Sequence, residues 1–181
     1  MSRLLRSIVS FVLLSLALSV QAAPAAPEQG RLFVHLKTSL KHDDAQICVA
    51  YNIIWTALRE GLAVDVLVDA DAINTFRTGM FSSSDSIQGY KIPENLRSSI
   101  AAQLKMPVDE VPRTYGEYLE RLAADGARFY INKGFLVVSG IAPEPDKNLG
   151  KIAPYAAKLF KPVDFQTMLR LRRQADFDYT Y

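Results

Sequence analysis

Residues 31–71 constrain the fold more than any other stretch. They read strand, helix, strand in immediate succession. Arg31-Leu-Phe-Val-His-Leu-Lys37 is short, apolar and partly β-branched, and Leu62-Ala-Val-Asp-Val-Leu-Val68 is a second such run. Between them, Ile47, Tyr51, Ile54 and Leu58 fall on one helical stripe, with Cys48 and Trp55 beside it. So broad a stripe predicts a helix buried on much of its circumference. Asp43 or Asp44 can cap its start, and Gly61 ends it. Two strands joined by a helix make a right-handed crossover with the strands parallel.

The rest of the chain alternates in the same way. A helical turn is expected over 72–76, then a long Ser/Gly-rich loop over 77–93. A loop of that length in a compact domain is usually functional or disordered. Helices are expected over 94–105, with Leu96, Ile100 and Leu104 in line, and over 114–125. In the second of these, Thr114 and Glu117 form a capping box. Residues 127–132 read as a third strand, and Lys133-Gly134 as a turn. Phe135 to Val138 fits either a strand or a helix. A short helix interrupted by Pro154 is expected over 151–160. Asp164 caps a last helix through Gln174, and Phe177-Asp-Tyr-Thr-Tyr181 alternates as a closing strand. The expected architecture is α/β: a single three-layer domain, 31–181, with a mostly parallel sheet flanked by helices.

The first 22 residues are read as a secretory signal peptide and not as part of the fold. Arg3 and Arg6 precede the apolar run 7–20, and Val20-Gln-Ala22 places small residues at a cleavage site. At 14 residues the run is shorter than the roughly 20 needed to span a bilayer. Residues 23–30, Ala/Pro-rich, form a flexible leader. The expected product is soluble and periplasmic, with no stable membrane insertion. Removing Arg3 and Arg6 leaves nineteen basic and nineteen acidic side chains, so the full chain's net charge of +2 falls to zero. A neutral mature chain offers no general attraction for nucleic acid.

In folds of this kind ligands bind beyond the carboxyl ends of the strands, near a switch point. That edge collects residues 37–44, 69–71 and 132–134. Lys37, His42, Asp69, Asn132 and Lys133 are therefore the candidate ligand-binding residues, with a small molecule as the ligand. His35, between Val34 and Leu36, is read as a core or wall residue, with a catalytic role as the alternative. His42 beside Asp43 and Asp44 is read as a solvated helix start and not as a metal site. Cys48 is the sole cysteine. It is the only candidate catalytic nucleophile, set against burial beside the apolar stripe. No phosphate-cradling Gly loop, HExxH or Cys-x-x-Cys motif is present, and no cofactor is expected.

The chain resembles the DsrE-like sulfur-relay family over most of residues 31–181. The likeness is carried by the opening strand and helix and by Val64-Asp-Val-Leu-Val-Asp69. Further along, it is carried by Tyr118-Leu-Glu-Arg-Leu-Ala-Ala-Asp-Gly-Ala-Arg-Phe-Tyr-Ile131, Ser139-Gly-Ile141 and Gln174-Ala-Asp-Phe-Asp-Tyr-Thr-Tyr181. The resemblance implies a small α/β domain assembling as a trimer or hexamer. Active members of the family carry persulfide sulfur on a cysteine. Many relatives place that cysteine just after the third strand, where this chain reads Asn132-Lys-Gly-Phe135, and the central loop has none either. The expectation is an exported, non-enzymatic ligand-binding or assembly subunit. Sulfur transfer through Cys48 is the alternative.

Overall fold

The computed structural model describes residues 30–78 and 87–181. The residues read as a signal peptide, most of those read as a leader, and residues 79–86 of the 77–93 loop lie outside the described residues.

The first unit is as the spacing predicts. Strand β1 (Arg31–Leu36) leads into helix α1 (Asp44–Arg59) and returns as β2 (Ala63–Val68). Asp43 caps α1 by accepting the Gln46 amide, and Gly61 takes a positive φ of 82° beyond its end. A 3₁₀ segment, Ala70–Phe76, follows β2. Helices α2 (Glu94–Leu104) and α3 (Tyr115–Ala124) precede β3 (Arg128–Asn132), and the Thr114–Glu117 capping box is formed at the start of α3. The ambiguous run after β3 is helical, α4 (Lys133–Val138), because the Asn132 side chain caps it by accepting the Phe135 amide.

The helix read over 151–160 is only α5 (Pro154–Ala157), with Pro154 at its first position, and Phe160–Val163 is a strand, β4. Pro162 within it hid the strand from local reading. A proline is tolerated there because β4 is an edge strand. Helix α6 (Phe165–Arg173) is capped by Asp164, and β5 (Phe177–Thr180) ends the sheet.

The five strands lie in the order β4-β3-β2-β1-β5, and all four pairings are parallel. From β1 to β4 the chain steps in one direction. It then turns back through α6 to place β5 beside β1. Right-handed crossovers put connections running in opposite directions on opposite faces, and the packing follows. Leu32, Val34, Leu36, Val64, Val66, Val68, Phe129, Ile131 and Phe160 belong to the large core with α1, α2 and α3. Phe33, Leu67 and Val163 belong to a small second core with Leu171 and Met168 of α6.

The large core is rich in aromatic rings. Tyr118 meets Tyr51 and Trp55 edge-on, at centroid distances of 5.3 and 5.2 Å. Of the 77–93 loop, Ile87 is fully buried in this core, its carbonyl accepting the Gly116 amide of α3, and Tyr90 packs against the core, partly buried. The second face carries far less. A helix of nine residues is its main cover, and Leu171 is that helix's one buried residue. Phe165 and Leu169 are left 66 % and 65 % exposed.

Candidate functional site

The alternation of β1 sends Leu32, Val34 and Leu36 to the large core and Phe33 and His35 to the opposite face. On β2 the same alternation sends Asp65 and Leu67 to that face. Register pairs His35 with Leu67, and just beyond the pair Asp69 leaves β2, its amide donating to the Leu36 carbonyl. Asn132 closes β3. Three neighbouring strands therefore bring His35, Asp69 and Asn132 to one carboxyl edge.

There they form a connected set. Asp69 accepts from His35 Nε2 at 3.0 Å, from Asn132 Nδ2 at 2.7 Å and from the Ala70 amide at 2.6 Å. Burial pushes the Asp69 carboxyl up. The hydrogen bonds from His35, Asn132 and Ala70, with the attraction of the His35 ring, outweigh that and hold it below its ordinary value. An ionised Asp69 has no proton to give, so His35 Nε2 carries the hydrogen of their shared bond. In the neutral ring Nδ1 is then the acceptor nitrogen, and it forms no hydrogen bond among the described residues. Asp69 also steadies a strained backbone, since Ala70 has a positive φ of 47° without being glycine.

The His35 ring forms part of the wall of a groove between the sheet and α6. Phe33, Leu67, Phe165, Met168, Leu169 and Arg172 make the rest, enclosing about 310 Å³. That lies at the small end of the roughly 300–1,000 Å³ of ligand pockets. The Phe165 ring rests on Gly134, where a β-carbon would come within 2.8 Å of it. Arg172 donates from Nε to Asp178 of β5.

The sequence candidates divide around this site. Asp69 and Asn132 are in it. His42 is not: its Nδ1 bonds Asp71 at 2.7 Å, in a second set where Asp71 also accepts from the Ser39 amide and from Asn74. Burial raises the Asp71 carboxyl, but the bonds from Ser39, Asn74 and His42 bring it down to about 2. This set fastens the β1–α1 turn to the 3₁₀ segment. Lys133 turns away to Asp146, at 2.7 Å. Lys37 is exposed, and its amide donates to the Tyr181 carbonyl where β5 meets β1. Cys48 is not part of the connected set; it lies on the core side of α1 and is 2 % exposed. Burial pushes its thiol up, despite the Tyr115 hydroxyl and the Asn52 amide beside it.

His35 and the α6 residues were not among the candidate ligands. The only sequence signal for His35 was a titratable side chain at a face-alternating position next to the end of an apolar strand. Nothing local placed Phe165, Met168, Leu169 or Arg172 opposite it. Among the described residues, no cluster of three or more His, Cys, Asp or Glu side chains could hold a metal ion. No helix among them is long and apolar enough to cross a membrane.

Comparison with solved structures shows a shared fold. The chain is similar to the crystal structure of the ychN protein from E. coli, with a TM-score of 0.52 at 14 % identity. The match covers 84 % of this chain and 99 % of that one. The DsrE-like fold implied by the sequence resemblance is thus present here as a parallel sheet flanked by helices. No family model matches the chain, and no curated protein does.

Proposed function

We propose that this protein is a small-molecule-binding domain whose site is the groove between the sheet and α6, with His35 as its polar anchor. The observation that carries this reading is the His35 ring, held by Asp69, which Asn132 holds in turn, in the wall of a cavity of about 310 Å³ whose other lining residues are apolar except Arg172. The fold shared with the ychN protein supports a DsrE-like domain. Sulfur transfer through Cys48 needs an accessible thiolate. The buried Cys48, with its thiol pushed up, favours the binding reading over it. Residues 1–22 support export to a periplasm. Assembly into a trimer or hexamer belongs to the same proposal, and Val49, Val137, Val138, Phe177 and Tyr179 are exposed apolar side chains outside the groove that suit subunit contacts.

The test is a screen of small apolar and amphipathic compounds by ¹H–¹⁵N NMR. Shifts should concentrate at His35, Leu67, Met168 and Leu169. Hits that cluster elsewhere, or none at millimolar concentration, overturn the reading. Light scattering tests the assembly, and a monomer at high concentration removes that part.

A further inference from the structure

The groove's polar groups are few and of one kind. Two of its seven lining side chains carry polar nitrogens, the His35 imidazole and the Arg172 guanidinium, and none is a carboxylate. Both groups have a carboxylate behind them: Asp69 takes His35 Nε2, and Asp178 takes Arg172 Nε. Those partners fix the two side chains and leave His35 Nδ1 and the terminal Arg172 nitrogens without hydrogen bonds among the described residues. The other wall residues, Phe33, Leu67, Phe165, Met168 and Leu169, are apolar.

Building on the binding reading above, we infer that the groove takes a small apolar monocarboxylate. Its hydrocarbon body lies against Phe33, Leu67, Met168 and Leu169, and its carboxylate lies between His35 and Arg172. A wholly apolar ligand would cover the imidazole and the guanidinium without pairing them, which disfavours it. A dicarboxylate or a phosphate would bring a second or more strongly hydrated charge against an apolar wall with no partner for it. A monocarboxylate meets both conditions. The terminal nitrogens of Arg172 can fork onto one carboxylate. A carboxylate meets His35 Nδ1 only through a hydrogen: a ligand entering as the neutral acid gives its proton to Nδ1, and a ligand entering as the anion binds with uptake of one proton from solution by the ring. The resulting imidazolium then lies between Asp69 and the ligand's carboxylate, so each new charge is paired.

Isothermal titration calorimetry with hexanoate, 1-hexanol and acetate separates the contributions. Hexanoate should bind at least about tenfold more tightly than either of the others, because one charge-assisted hydrogen bond is worth about that factor. His35→Gln and Arg172→Gln should each weaken hexanoate about tenfold and weaken hexanol by clearly less. Near-unchanged NMR spectra of both variants verify the fold. If hexanol binds in the groove as tightly as hexanoate, the site stands and the carboxylate inference falls. If none of the three shifts His35, Leu67 or Met168, both fall. Leu169→Arg, at an exposed position, checks a second copy as the occupant. A loss of oligomer mass in this variant, with no hexanoate binding by the parent, makes the groove a subunit contact and overturns the inference.

Discussion

Replacing Asp69 probes the site most directly, because three donors converge on one carboxylate. Asp69→Ala leaves the Asn132 amide, the Ala70 amide and His35 Nε2 without an acceptor. Asn132 is 6 % exposed, so water cannot readily replace the lost partner. At roughly 1–3 kcal/mol for each buried donor left unsatisfied, with the more open His35 costing less, the sum is about 3–5 kcal/mol. Asp69→Asn is milder. Its carbonyl oxygen keeps Asn132 and Ala70, and its amide can donate to His35 Nε2 if the ring changes tautomer. Only the charge assistance is lost, at about 1 kcal/mol per bond and roughly 2–3 kcal/mol in all. For a domain of this size each kcal/mol moves Tm by about 2–4 °C. Asn should therefore lower Tm by about 4–12 °C at neutral pH, and Ala should lower it further. Thermal unfolding followed by circular dichroism measures both, and ¹⁵N spectra of the His35 ring report its tautomer. The parent should carry hydrogen on Nε2 and the Asn variant on Nδ1. An Asn variant within about 1 °C of the parent, an Ala variant no worse than Asn, or a parent with hydrogen on Nδ1 refutes the reasoning.

Other expectations follow from neighbouring features. Asp71 has a folded pKa of about 2 against an ordinary 3.8, so the stability it contributes is present above pH 3.8 and is lost as pH falls through about 2; Asp71→Asn should flatten acid unfolding in that window, and an unchanged acid transition counts against the His42–Asp71 set. Cys48 should react slowly with iodoacetamide in the folded protein and quickly in denaturant, since it is buried with a raised pKa; rapid native labelling would reopen the sulfur-transfer reading. Arg97, 6 % exposed, donates to the carbonyls of Val108, Val111 and Pro112, so Arg97→Met should destabilise by about 3–5 kcal/mol in urea unfolding without altering hexanoate affinity. Tyr51 Oη is buried without a hydrogen-bond partner among the described residues, so Tyr51→Phe should raise Tm or leave it unchanged; a drop of several degrees would mean that the hydroxyl is bonded in solution.

Much of the fold was legible in the residues because it is written in local periods. The alternation in Arg31–Leu36 and Ala63–Val68, the stripe through Ile47, Tyr51 and Ile54, and the caps at Asp43, Thr114 and Asp164 each act within a few residues. Such signals hold wherever the element ends up, and they predicted an α/β chain with its site at the strand ends. Asp69 and Asn132 could be placed at that edge because each sits at the end of a strand that can be read. β4 was missed because four residues with a proline carry too little period to tell a strand from a helix end.

What no local pattern contains is where the chain turns back. Only tertiary pairing sets β5 beside β1 instead of beyond β4, and the handedness of that return puts α6 alone on the second face. That placement turns His35 from a strand residue into the wall of a groove, leaves Phe165 and Leu169 largely exposed, and brings Arg172 into the same wall as a histidine 137 positions earlier in the chain. A contact across such a separation is decided by the packing of whole layers, and no window of neighbouring residues carries that information.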